Sequence, residues 1–245
     1  MAARAWNNTH GIELRRCRAC AFVFSAQAGF SYEELFVGSF AGKSRDDLIR
    51  AARAQGLHTM VAEIVAKTGL EQGAKVMDFG AGIGLAALTF MQAGYDVVAV
   101  EQSRRYVEAY AGLGIQSAPS IGQARQMRES FDLVVMKDVL EHLDDPRAPL
   151  AALIESIRRG GHLYIRVPNV LAYRFHWDVD TKSHVNHFAP ATLIKLVESF
   201  GMKRRSFVGI YDVSSRAGRI YNAIFWRMRA VVPLYHQISL LFSRE

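Results

Sequence analysis

Two groups of residues in this chain have the types and the spacing to do chemistry. The first is Asp78-x-Gly80-Ala81-Gly82-x-Gly84, followed by a second acid at Glu101-Gln102. A short apolar run carries Asp78 at its end, glycines follow at alternate positions, and an Ala/Leu-rich helical pattern begins just after Gly84. This order reads as strand, tight loop, helix. Glycines let a backbone approach a ligand closely, and the first amides of the helix point into the same gap, so a small molecule is expected there. The second group is Lys137-Asp138-x-x-Glu141-His142, joined further along by His184 and His187. An imidazole can take a proton from a hydroxyl near neutral pH, which makes His142, His184 and His187 candidate general bases. Glu141 is either part of that chemistry or a structural partner that holds the loop closed with His142.

The ligand of the first group can be narrowed. Gly82-x-Gly84-x-x-Ala87 satisfies a loose dinucleotide fingerprint. Asp78 opposes that reading, because a carboxylate at short range repels a pyrophosphate and suits a cationic sulfonium. Residues 96–101 form a second strand-like run whose terminal acid, Glu101, can accept hydrogen bonds from a ribose diol. Acid, glycine loop and second acid together fit S-adenosylmethionine rather than NAD.

These residues resemble the class I S-adenosylmethionine-dependent methyltransferases, whose first motif is similar to Asp78-x-Gly80-x-Gly82-x-Gly84. The resemblance continues through residues 131–146, similar to the fourth strand and its loop, and 160–169, similar to the fifth strand. His184-x-x-His187-Phe188 with residues 193–201 resembles the closing helix and turn of the ubiquinone-type and sugar-type subgroup. It implies a Rossmann-like α/β fold with a mostly parallel seven-stranded sheet and helices on both faces. It also implies a cofactor site at Asp78, Gly80, Ala81, Gly82, Gly84, Glu101, Gln102 and Lys137, and catalysis by Glu141, His142, His184 or His187. Adenine recognition falls to Ser120 or Gln123, the alternative being an ordinary connecting loop. Asp138-x-x-Glu141-His142 with a downstream histidine is similar to an arrangement by which some methyltransferases hold a divalent metal. Asp is shorter than the Glu usual at the first position, and hard ions want several oxygens, so no resident metal is expected.

Positioning these groups requires alternating strands and helices, hence a parallel sheet covered on both faces. Ser44-Arg45-Asp46-Asp47 predicts an N-cap, and apolar spacing predicts one helix from there to near Gly69. Further helices are expected at 84–93, 104–111, 146–158 and 191–200, and a strand at 202–210. Residues 168–189 make a long connection rich in histidine and aromatic residues, of the kind that is usually functional. Ahead of the main domain (44–210), residues 1–43 are expected to carry a small hairpin with Cys17 and Cys20 across its turn, resembling half of a zinc ribbon. Two thiolates are half a tetrahedral set, so a metal-free hairpin is expected unless His10 or a second chain contributes. Residues 211–245 are expected to form a basic amphipathic helical tail that carries Arg216, Arg219, Trp226, Arg227 and Arg229. Such a segment suits a membrane surface, a lipid-like substrate or a second copy of the chain.

An apolar fraction of 50% and a charged fraction of 22% describe a globular chain with one main core. Thirty basic against 23 acidic residues, +7 formally, permits anionic partners but equally serves solubility. Two cysteines, no signal-like start and no long apolar run predict a cytoplasmic setting, peripheral to the inner membrane face at most. Signatures for exocyclic-amine or pyrimidine-carbon methylation are absent from the chain, and no RNA-binding module is recognised. The expected acceptor is thus an oxygen, or an activated carbon, of a small, glycan-type or lipid-linked molecule. RNA methylation rests on charge alone, and nucleic acid is not an expected partner. A non-catalytic cofactor-binding subunit would have lost its acids or glycines, which are intact.

Overall fold

The computed structural model describes residues 3–6, 13–25, 43–172, 183–207 and 237–245. After three N-terminal strands, β1 (Ala3–Trp6), β2 (Leu14–Cys17) and β3 (Val23–Ser25), come helices α1 (Arg45–Ala54) and α2 (Leu57–Thr68). The alternating unit then runs β4 (Lys75–Phe79), α3 (Leu85–Gln92), β5 (Asp96–Val100), α4 (Arg104–Ala111), β6 (Gln116–Ala118), α5 (Ile121–Met127), β7 (Phe131–Lys137), α6 (Arg147–Ser156) and β8 (Ile157–Pro168). It closes with the two-residue strand β9 (Asn186–His187), α7 (Pro190–Glu198), β10 (Met202–Phe207) and β11 (Gln237–Arg244).

Seven strands form one sheet in the order β10-β11-β8-β7-β4-β5-β6, with β11 antiparallel to both neighbours. Alternation along β7 shows how it is covered. Leu133 and Val135 pack with Leu57, Ile64, Leu88 and Tyr110 of α2, α3 and α4, while Val134 and Met136 pack with Ala124, Leu153 and Val197 of α5, α6 and α7. Both faces are therefore buried, as a parallel sheet requires. This is the expected Rossmann-like architecture.

Two expectations are corrected. The single helix over residues 44–69 is two helices, because Gly56 adopts a left-handed φ of 71° and ends the first run. The Ser44 cap itself is present as a reciprocal box, with Asp47 N–H on Ser44 Oγ at 3.2 Å and Ser44 N–H on Asp47 Oδ2 at 2.9 Å. The C-terminal tail is not wholly helical, since its last described stretch is β11, inserted between β10 and β8. Ile238, Leu240 and Phe242 enter one core layer and Leu241 the other, so a strand buries both sides of this run. The main unit accordingly does not end at residue 210. The rest of the expected amphipathic tail, residues 211–236, and the last three residues of the expected strand, 208–210, lie outside the described residues.

The N-terminal hairpin is also more than an appendage. Its strands and β9 form a second, four-stranded sheet, β1-β2-β3-β9, with Val23 opposite His187 and Phe24 opposite Asn186. Phe22 packs on Phe188 with ring centroids 5.2 Å apart. Cys17 is buried, Cys20 is exposed, and neither is in a disulfide. Among the described residues no helix is long and apolar enough to cross a membrane.

Candidate functional site

At the carboxyl end of β4 the chain turns through Gly80, Gly82 and Gly84, all with left-handed φ between 54° and 78°. A Cβ on Gly80 would sit 2.5 Å from Val139, and one on Gly84 2.7 Å from Ile115, so both positions are closed to side chains. Nothing described lies within 4 Å of a Cβ placed on Gly82, which leaves that side of the loop open. The loop is pinned from behind. Glu101 accepts hydrogen bonds from Gly82 N–H and Ser103 N–H, both at 2.8 Å, and Gly80 N–H donates to Val100 O at 2.8 Å. Tyr110, buried on α4, donates its hydroxyl to Gly82 O. Composition alone did not single out this tyrosine; its spacing on α4 gave the only signal.

Asp78 is buried and accepts from Ala87 N–H at 3.0 Å, tying β4 to the first turn of α3. Burial pushes its carboxyl up to about 6, against the opposing pull of the Lys137 ammonium and the Ala87 amide. A cationic ligand alongside would favour its ionised form. Gln102 is exposed beside Glu101. Of the two residues considered for adenine, Ser120 caps α5 by accepting from Gln123 N–H at 3.3 Å, and the Gln123 side chain is exposed.

The second group of expected residues begins where β7 ends. Lys137 Nζ donates to Asp138 at 2.9 Å, and Arg166 of β8 forks onto the same carboxylate through Nε at 3.0 Å and through Nη2. Burial pushes the Asp138 carboxyl up, but the Lys137 and Arg166 charges outweigh it and hold the group well below the usual carboxylate range. Arg166 was not among the expected site residues. The signal available was a lone charge inside the apolar run 163–167, which demands a partner once buried.

A short 3-10 turn, Leu140–His142, follows. Glu141 is buried, with one carboxylate oxygen accepting no hydrogen bond among the described residues. Burial first, and then the nearby Asp138 charge, push its carboxyl well above the usual range. His142 Nδ1 lies 3.0 Å from Ser183 O, so that nitrogen must carry the proton and Nε2 is the ring's accepting nitrogen. His142 Nε2 is 4.0 Å from Glu141 Oε1. The His184 ring stands edge-on to His142 at 4.7 Å, and His187 to His184 at 6.5 Å.

The segment 183–188 is fastened to this turn from both sides. Val185 N–H donates to Glu141 O at 2.9 Å, Asn186 Nδ2 donates to Leu143 O at 2.5 Å and to Leu140 O at 3.3 Å, and Ser25 N–H from the hairpin donates to Val185 O at 2.9 Å. All three expected histidines are thus brought together, but not on equal terms. His187 lies in β9 with 1% exposure, and burial, aided by His184, pushes its imidazole down to about 4, so it stays neutral. Donor atoms of Glu141, His142 and His184 all lie within 4.8 Å of one another, which fits a divalent ion with mixed nitrogen and oxygen ligands. Asp138, committed to Lys137 and Arg166, does not join them.

A family model described as a methyltransferase domain matches residues 49–206. The ubiquinone biosynthesis O-methyltransferase of Xanthomonas oryzae pv. oryzae (strain PXO99A) is 27% identical over 183 residues, covering 69% of this chain and 74% of that one. The protein of the same name from Aliivibrio fischeri (strain MJ11) is 23% identical over 159 residues, covering 57% of this chain and 68% of that one. Among solved structures, magnesium protoporphyrin IX methyltransferase from Synechocystis PCC 6803 with bound SAH superposes with a TM-score of 0.56 at 17% identity, covering 85% of this chain and 90% of that one.

Proposed function

We propose, from the premise that this chain belongs to the methyltransferase domain family and is an S-adenosylmethionine-dependent methyltransferase, that its acceptor is a hydroxyl oxygen on a small lipid-linked or sugar-linked molecule and that His142 is the general base. The bound cofactor supplies an electrophilic methyl group on a cationic sulfur. The chain's part is to align the acceptor and take its proton. Glu101 and the glycine loop would hold the ribose, with Asp78 and Lys137 behind them. His142 Nε2 would take the acceptor hydroxyl's proton as its oxygen gains the methyl group and the sulfur–methyl bond breaks, its electron pair staying on sulfur, while Ser183 O keeps Nδ1–H in place.

The observation that carries this reading is the His142–Ser183 hydrogen bond, which holds the proton on Nδ1 and makes Nε2 the basic nitrogen, on a turn whose preceding residue, Val139, lies against Gly80. Two further points support a lipid-linked acceptor. The relatives carry O-methylation in ubiquinone biosynthesis in their names. The chain also leaves β10 and re-enters the sheet at Gln237, opposite Pro168 at the carboxyl end of β8, so the basic and apolar sequence between is attached at the acceptor edge. Peripheral membrane contact through that sequence belongs to the same proposal.

Labelled cofactor incubated with lipid-tailed phenols, glycans and RNA tests the reading. Transfer to a hydroxyl, lost in His142→Ala with cofactor affinity kept, is expected. Transfer to RNA alone, or undiminished transfer in the variant, would refute it. The Glu141, His142 and His184 donor set favours a second reading, in which a divalent ion orients the acceptor oxygen. In that case, chelation would abolish turnover and manganese or zinc would restore it.

A further inference from the structure

We infer that Arg166 is a positioning residue for methyl transfer: by clamping Asp138 it fixes the turn that presents Glu141 and His142 to the acceptor. The assignment rests on the acceptor-side reading above and goes beyond it, since Arg166 touches neither His142 nor the cofactor loop in any described contact.

Arg166 is 7% exposed, inside the apolar run 163–167 near the carboxyl end of β8. A guanidinium there is costly unless its charge and donors are met, and this one spends its fork on a single carboxylate. Asp138 is gripped a second time through the main chain, because its N–H donates to Arg166 O at 2.9 Å. One residue thus holds both the side chain and the backbone of Asp138.

Asp138 needs holding. Its φ of 56° lies in the left-handed region, shared among described non-glycine residues only with Ala21. Aspartate tolerates that region better than most residues but still prefers to leave it. Here the reversal is what turns the chain out of β7 and into the Leu140–His142 turn, where His142 N–H closes on Val139 O at 3.0 Å. Releasing Asp138 would let the turn relax toward ordinary extended backbone and carry His142 away from its aim.

The test compares Arg166→Met, Asp138→Asn and the double variant in the full chain. Asn keeps the tolerance for left-handed backbone, and the double variant removes both members of the buried pair together, leaving only the partly exposed Lys137 ammonium without that carboxylate. Arg166→Met is expected to lower kcat by about tenfold to a hundredfold, the effect of a misplaced catalytic group, while cofactor affinity changes by less than about threefold. The double variant should recover the melting temperature and remain slow. The Nδ1–H proton of His142, which donates to Ser183 O, should give a protected nitrogen-15 correlation in the wild type that is lost in Arg166→Met and in the double variant.

The assignment is overturned if Arg166→Met keeps wild-type kcat, if kcat returns in the double variant together with stability, or if the His142 N–H signal is unchanged in Arg166→Met. Should Arg166→Met fail to fold, Arg166→Lys replaces it: charge is kept and the fork is lost, so kcat should fall and the His142 N–H signal weaken while cofactor affinity holds. The NMR measurement needs no acceptor. A wild-type protein that methylates no hydroxyl would sink the proposed function and leave the Arg166 assignment to be decided by that signal.

Discussion

The proposed cofactor side of the site is made chiefly from one continuous stretch, residues 78–110, with Lys137 brought to it from β7, and the hydrogen bonds within that stretch span 9, 19 and 28 positions of sequence. The acceptor side is gathered from residues 13–25, 137–142, 166 and 183–188, and its bonds span 28, 41 and 46 positions. The cofactor cradle can form wherever one strand-loop-helix unit and its neighbouring strand exist. The acceptor side exists only after β7, β8, the histidine segment and the N-terminal hairpin have met. Damage to the acceptor side should therefore spare cofactor binding, and the reverse should not hold, because Val139 packs directly on Gly80.

The largest expected effect is at His142. His142→Ala should cut turnover by about 10² to 10⁴, the usual worth of a positioned base, with calorimetric cofactor affinity nearly unchanged. Parallel loss of turnover and affinity would break the distinction between the two sides.

Acid–base linkage should separate them next. The His187 imidazole is held near 4 in the fold against 6.5 in the unfolded chain, so its contribution is complete above pH 6.5 and is lost as pH falls toward 4. The loss is on the order of 3 kcal/mol at 1.36 kcal/mol per unit. Asp78 acts with the opposite sign: held near 6 against 3.8, it favours the fold below pH 3.8, and that support is lost as pH rises through 6. Chemical denaturation between pH 4 and pH 7 should show His187→Gln flattening the acid-side loss. Asp78→Asn should stabilise the cofactor-free protein at pH 7 while weakening cofactor binding. Identical pH–stability curves for both variants and the wild type would refute this account.

Glu101 gives a middle-sized effect. Glu101→Ala removes the acceptor of two loop amides and the expected partner of the ribose, and should weaken cofactor binding by about 1.5 to 3 kcal/mol, the range for a bond to a charged group. An unchanged dissociation constant would dispose of the assigned role. The smallest is Tyr110→Phe, which loses only the hydroxyl on Gly82 O and should cost about 0.5 to 1.5 kcal/mol of cofactor affinity. A larger effect on turnover than on affinity in that variant would show the two sides to be coupled through the glycine loop.

Much of this was legible in the chain. The glycine loop, its flanking acids, the alternating strands and the helix at 104–111 all stand where local pattern puts them, because each is decided by residues within a turn or two of one another. Gly56 was readable only in part. A glycine inside a helical pattern is tolerated or terminal depending on packing, and here α1 and α2 both needed to reach the same core layer.

What the sequence determined by itself is therefore the fold class, the glycine loop with its flanking acids and the presence of three histidines that the fold gathers together, since period, turn chemistry and residue type are local properties. Only the tertiary structure decided that residues 237–244 are a strand, that Val23 lies beside His187, that Asp138 belongs to Arg166, and that His142 gives its Nδ1–H to Ser183 O while His187 is closed inside β9. The physical reason is common to all four. Strand partners, buried ion pairs and imidazole tautomers are set by whatever group the rest of the chain delivers to that place, and a run such as Ile238-Ser239-Leu240-Leu241-Phe242 carries no record of the slot between β10 and β8 until those strands have formed it.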